Sequence, residues 1–225
     1  IYDPSSGWGG RILGAMSVDD RQLHYVGTDP NTDNYLPEIN KSRYEYLADW
    51  FNDNTNGGNP FFGHRNTYEL FQDGSEEIAD NPKFQKYKGK LDLVFTSPPY
   101  FNREQYSGDD SQSFKKFPEY ADWRDNFLRP TLKTCSEYLR KDRYLLWNIA
   151  DIADGDDYMP LEQDSIDILA EYGLKYVTTL KMIMTSMRGV DPTTVKNCCK
   201  VEGDMQKYEP IFVFYKEEIK EPYLP

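Results

Sequence analysis

The chain alternates between short apolar runs, each closed by turn residues, and longer stretches whose apolar residues recur at helical spacing. Leu91-Asp92-Leu93-Val94-Phe95-Thr96 is the clearest run. Bounded by Gly89 and by Pro98-Pro99, it reads as a buried strand of a parallel sheet. Further strands are expected at the opening Ile1-Tyr2-Asp3 and over 24–30, 67–71, 143–149, 174–184 and 208–215. Helical spacing begins at Ile12, Leu13, Ala15 and Met16. It returns over 34–51 (Tyr35, Ile39, Tyr46, Trp50), near Ser75, over 120–141, where Pro130 should bend the helix, and over 161–172, where Gly173 is the expected C-cap. Stretches 52–63, 101–118 and 185–207 read as loops. This β-α-β alternation, closing with two strands and no helix between them, predicts a mostly parallel α/β sheet with an antiparallel hairpin at its end.

At 225 residues the chain fits one domain, with an insertion expected at about 31–64. Apolar residues make up 38% and aromatics 15%, which implies an aromatic-rich core. A net charge of −12 means that the overall field does not attract a polyanion. Any nucleic-acid contact then needs a local patch or another polypeptide. The aromatic-interleaved basic run from Lys83 to Lys90 leads into the amino end of a strand and reads as a solvated loop. Cys135, Cys198 and Cys199 form neither a disulfide framework nor a zinc pattern. No apolar run nears the roughly 18 residues of a membrane span, and a reducing cytoplasm fits. The chain lacks an initiator Met and opens inside a strand, so upstream residues are expected.

Two stretches carry chemistry. In Asp3-Pro4-Ser5-Ser6-Gly7-Trp8-Gly9-Gly10-Arg11 a strand tip leads through an acidic side chain and a glycine-rich turn into a helix. Gly7 and Gly9 remove Cβ atoms where backbone must approach a ligand, and Asp3 can take a cationic group such as an ammonium. The spacing is not that of dinucleotide folds, and the lysine of a phosphate loop is absent. An ordinary tight turn is the alternative. Asp29, 20 positions past Gly9 at a second strand tip, stands where a ribose diol is held in nucleotide-type α/β folds. It equally reads as an Asp-Pro turn. Asp73 either contacts an adenine amine or caps the helix near Ser75.

The second stretch is Thr96-Ser97-Pro98-Pro99-Tyr100. Pro98 has no N–H to continue a ladder, and Pro99 biases it toward extended backbone. The result is a stiff corner at the carboxyl end of a strand. The Ser97 hydroxyl and the Pro98 carbonyl can accept both hydrogens of an –NH2 group, while the Tyr100 ring offers a stacking face.

With both stretches and Thr28-Asp29 in place, the chain resembles, over essentially its whole length, the amino-group DNA methyltransferases that use S-adenosylmethionine. The resemblance implies a Rossmann-like, seven-stranded class I methyltransferase sheet whose seventh strand is antiparallel, with the cofactor motif ahead of the catalytic one. It implies that Asp3, Ser5, Gly7 and Gly9 hold the methionine part of S-adenosylmethionine, Asp29 with Pro30 the ribose, and Asp73 the adenine end. Ser97, Pro98, Pro99 and Tyr100 would hold the target amine, Ser97 bordering the cofactor as well, with no metal. Ser as the first corner letter is more like cytosine-N4 than adenine-N6 enzymes. The implied partner is DNA with a flipped base. A target-recognition domain and an upstream cofactor-closing segment are not visible, so a further domain or subunit is expected to help. Alternatives are an RNA base or a protein glutamine amide as acceptor, or a non-catalytic cofactor-binding subunit.

Overall fold

The protein is described by a computed structural model covering residues 1–31, 35–54, 65–103, 110–154, 157–184 and 196–218. The chain runs β1 (Tyr2–Asp3), α1 (Gly10–Met16), β2 (His24–Thr28), a small hairpin of β3 (Tyr35–Leu36) and β4 (Lys41–Ser42), α2 (Arg43–Asn54), β5 (Thr67–Phe71) and β6 (Leu91–Thr96). It continues through α3 (Ser113–Lys116), α4 (Tyr120–Trp123), α5 (Arg129–Tyr138), β7 (Leu139–Asn148), a second hairpin of β8 (Ile152–Asp154) and β9 (Asp157–Met159), α6 (Leu161–Glu171), β10 (Leu174–Ile183), β11 (Cys198–Val201) and β12 (Asp204–Lys216).

The seven expected strands form one sheet in the order β10-β12-β7-β6-β1-β2-β5. β5, β2, β1, β6 and β7 are mutually parallel, and β12 is antiparallel to both β7 and β10. From β1 the chain builds outward to β5, then returns to start β6 on the other side of β1. That reversal is a topological switch point, and ligands of open α/β sheets bind beyond the strand ends there. Alternation along β2 explains the layers: Val26 joins the main core, which includes Val94, Leu145, Trp147 and Phe214, while Tyr25 joins a smaller cluster with Ile12, Met16 and Ala48.

Several local expectations change. The helix expected from Asn34 begins only at Arg43, because Pro37 sits in a turn closed by Asn40 N–H to its carbonyl, and Asn40 has φ 52°. Ser42 and Glu45 then start α2 as a reciprocal capping box: Glu45 N–H donates to Ser42 Oγ at 3.2 Å and Ser42 N–H to Glu45 at 2.7 Å. In place of a helix at Ser75 there are two short 3-10 turns, Ile78–Asp80 and Phe84–Tyr87. The second turn occupies the basic run. It buries Phe84 completely, so this segment is a core element with a charged outer side.

Between α4 and α5 the backbone widens into a π turn at Arg124–Leu128, directly before Pro130. The proline ring clashes with the carbonyl four residues back and cannot donate to it, and the wider turn relieves both faults. The helix then ends at Tyr138, and β7 starts at Leu139 with a register shift opposite Leu91 and Leu93. Residues 198–207, expected as loop, form a hairpin whose two turn residues Glu202 and Gly203 both have positive φ, 49° and 105°, as such tight loops require. The parts of the expected loops at 55–63, 104–109 and 185–195 lie outside the described residues.

Candidate active site

The two stretches singled out in the sequence leave the sheet from neighbouring strands. β1 pairs with β6 (Tyr2 opposite Val94), so the glycine turn and the proline corner emerge side by side at the carboxyl edge. Between them lies a cavity of about 430 Å³, within the roughly 300–1,000 Å³ of small-molecule sites.

Asp3 is not on the cavity wall. It is fully buried beneath the turn, and protein donors occupy both of its oxygens: Ser5 N–H at 3.2 Å and Thr96 Oγ1 at 2.7 Å on one, Arg11 Nε at 2.6 Å and Tyr25 Oη at 2.6 Å on the other. The cation that Asp3 takes is the chain's own Arg11. Burial, reinforced by the Asp3 carboxylate, pushes the Tyr25 phenol far up, so it stays a donor. This network joins β1, β2, β6 and α1, and a buried carboxylate is tolerated because it is so fully hydrogen-bonded.

The turn above it is packed tightly. Gly9 caps α1 with φ 87°, and a Cβ there would meet the Tyr44 ring at 3.3 Å. A Cβ on Gly27 of β2 would stand 2.3 Å from Ser6 Oγ, so only glycine lets the turn lie against that strand. Tyr44 of α2 donates its hydroxyl to the Gly7 carbonyl and lines the cavity. Ser5, Gly7, Arg11, Asp29 and Pro30 line it as well, whereas Gly9 does not.

Asp29 accepts Gly7 N–H at 2.9 Å on one oxygen and Asn31 N–H at 3.0 Å on the other. Burial pushes its carboxyl up to about 6, against the opposing pull of those two N–H groups. Asp73 lies off the cavity, where it accepts the Asn81 amide at 2.8 Å. Gly74, Ser75 and Glu76 take the wall position instead, and Glu76 is paired with Lys116 of α3 at 2.6 Å.

At the corner, Ser97, Pro99 and Tyr100 line the cavity, whereas Pro98, whose carbonyl was expected to accept the second amine hydrogen, is buried and is not among the lining residues. Tyr100 Oη donates to the Asn148 carbonyl at 3.3 Å. Phe101, at φ 44°, turns its ring into the core between Tyr120 and Trp123, both at 5.7 Å. That anchor holds the corner in a backbone region few side chains adopt. The sequence did not single out Tyr44, Glu76 or Glu209 as wall residues. Tyr44 stood in an expected surface helix, and its capping box was the available signal. Among the described residues no cluster could hold a metal ion, and no helix is long and apolar enough to cross a membrane.

No family model matches the chain, and no curated protein matches it. Solved structures do. A variant of the 16S rRNA (adenine(1408)-N(1))-methyltransferase from Catenulisporales acidiphilia aligns at 12% identity over 98% of this chain and 86% of its own, with a TM-score of 0.53. A Thermoplasma acidophilum protein assigned as a methyltransferase aligns at 7% identity over 96% of this chain and 67% of its own, with a TM-score of 0.51. A Thermus thermophilus protein assigned as a DNA modification methylase, solved with S-adenosyl-L-methionine, aligns at 16% identity over 67% of this chain, with a TM-score of 0.42. This chain spans 56% of that protein's length. At such identities the first two likenesses concern the fold: the sheet is that of class I methyltransferases.

Proposed function

We propose that the protein transfers a methyl group from S-adenosylmethionine to the exocyclic amine of a DNA base, cytosine N4 by preference and adenine N6 as the variant. The observation that carries this is the cavity walled by both the glycine turn after β1 and the Ser-Pro-Pro-Tyr corner after β6. S-adenosylmethionine, when bound, supplies an electrophilic methyl group on a sulfonium.

The cavity residues suit that cofactor. Asp29 keeps lone pairs beyond those used by Gly7 and Asn31, enough to accept a ribose diol. The glycine turn with Ser5 and Arg11 is a place for the methionine end, Arg11 matching its carboxylate. Gly74 and Ser75 offer room at the adenine end. Asp3 serves by setting the turn and holding Arg11.

An exocyclic amine is a poor nucleophile because its lone pair is delocalised into the ring. Ser97 Oγ accepts one of its N–H groups and so favours a pyramidal nitrogen, while Pro98 and Pro99 hold that acceptor still. Tyr100 stacks on the base, which has to leave the duplex for its amine to be reached. Most of the catalysis is positioning. The charge of −12 favours a second reading in which the acceptor is a protein glutamine amide, an RNA base being the other alternative. Incubation of the protein with labelled S-adenosylmethionine and DNA, RNA or protein fractions decides between them. The expected product, after digestion to nucleosides and mass analysis, is N4-methylcytosine; label confined to RNA or protein transfers the activity to the second reading.

A further inference from the structure

Three carboxylates line the cavity among the described residues, and they differ in what already holds them. Asp29 accepts two backbone N–H groups, and Glu76 accepts Lys116. Glu209 has neither a hydrogen bond nor an ion pair to its carboxylate among the described residues. An acceptor on a cavity wall with no protein donor is free to meet a ligand's N–H.

The position of Glu209 is set by the sheet. Pairing of β12 with β7 runs from Lys216 opposite Arg143 to Ile211 opposite Asn148. There Pro210 follows, and its carbonyl accepts the buried Asn148 Nδ2 at 2.9 Å. The Asn148 carbonyl in turn accepts the Tyr100 hydroxyl. One asparagine thus ties Glu209-Pro210 to the ring of the proline corner. Because β12 runs opposite to β6 and β7, Glu209 stands at the rim where those strands end, on the wall shared with Ser97. Lys181 of β10 lies over the neighbouring Tyr208 ring at 5.0 Å, and Arg11, Asp29 and Glu76 are the other charged groups of the cavity among the described residues.

We propose that Glu209 is the second acceptor of the target amine. This rests on the reading of the preceding section and completes it, since Glu209 lines the cavity and Pro98 is not among its lining residues. Ser97 Oγ takes one N–H and a Glu209 Oε the other. In the transfer the amine nitrogen forms a bond to the methyl carbon, and the bond from that carbon to sulfur breaks with its electron pair left on sulfur. One N–H proton passes to Glu209, which releases it to water. The pair of acceptors selects –NH2 groups and rejects a carbonyl at the same place, so thymine and uracil, which present O4 there, are excluded by lone-pair repulsion.

Glu209→Gln and Glu209→Ala test this with three readouts: S-adenosylmethionine binding by calorimetry, binding of a fluorescent cytosine-containing single-stranded oligonucleotide by anisotropy with S-adenosylhomocysteine present, and single-turnover transfer at saturating cofactor. Cofactor affinity should be unchanged in both variants. Glu209→Gln should lower the single-turnover rate about 10²- to 10⁴-fold, as loss of a positioned proton acceptor does. Glu209→Ala should in addition weaken oligonucleotide binding about tenfold or more, the scale of a lost charge-assisted hydrogen bond. If Glu209→Ala fails to fold, the isosteric glutamine variant decides alone. A Glu209→Gln enzyme with the wild-type single-turnover rate would overturn the inference and leave the proposed function standing. A wild-type protein that binds cofactor yet methylates no acceptor would overturn both.

Discussion

The two halves of the sheet edge differ in how their polar groups are used. On the side of β1 and β2, the groups at the strand tips are bonded to the protein before any ligand arrives: Asp3 holds four donors and Asp29 two. On the side of β6, β7 and β12, the rim carries Ser97, the Tyr100 ring and Glu209, whose carboxylate has no partner among the described residues. The first half is a rigid socket whose shape is set by a buried network. The second is a set of acceptors and a stacking face held open by prolines and by Asn148. Such a division suits a reaction in which one partner has fixed geometry while the other is brought in from a polymer.

The largest effect should come from breaking the socket. Asp3→Ala would leave the Arg11 guanidinium and two buried hydroxyls without their acceptor, costing about 3 kcal/mol or more of stability, read as a lowered urea midpoint. A loss under ~1 kcal/mol would mean that the network does not hold the two strands together.

Asp29→Asn keeps the shape and removes the charge. It should weaken S-adenosylmethionine binding by about 1.5–3 kcal/mol, the value of hydrogen bonds to a charged acceptor. The same group gives a pH test. With its carboxyl pushed up to about 6, Asp29 is ionised above that pH and protonated below it. The ionised form is the better acceptor for a diol, so affinity should fall as pH drops through about 6. In calorimetry the Asp29→Asn variant should lose that dependence; if it persists, another group titrates.

On the open side, Tyr100→Ala should cost about 1–3 kcal/mol of acceptor binding, the scale of base–aromatic stacking, and leave cofactor affinity intact. If anisotropy shows acceptor binding unchanged, the ring is not the platform. The smallest effect is expected from Lys86→Ala. Lys86 pairs with Glu69 at 2.5 Å, both partly exposed, in the turn before the amino end of β6, so it lies across the sheet from the cavity. An exposed pair is worth about 0–1 kcal/mol, and the salt dependence of nucleic-acid binding should not change. A shallower salt slope would place nucleic acid on the wrong edge for the division drawn above.

Much of this was legible in the chain because the signals are local. Apolar runs closed by Pro or Gly mark β6 and its corner, and a glycine-rich turn after strand residues marks the end of β1. The same locality explains the errors. Pro37 divides the segment before α2, a rule of neighbours that hydrophobic spacing alone does not show, whereas the π turn falls where Pro130 was expected to bend the helix. Asp3 was read as a ligand-facing group because a strand-tip carboxylate beside a glycine turn looks the same whether its partner is a ligand or Arg11.

The sequence by itself determined the seven strands of the main sheet and the two stretches that chemistry needs, since backbone preference and side-chain period act within a few residues. Which carboxylates would be spent inside the protein and which would reach the cavity was decided only in three dimensions. Asp3 and Thr96, 93 positions apart, meet because β1 and β6 pair. Glu209 reaches the corner because β12 inserts beside β7 and Asn148 binds the carbonyl of Pro210. A hydrogen bond is satisfied by whichever partner the fold brings within about 3 Å, and distance along the chain says nothing about that.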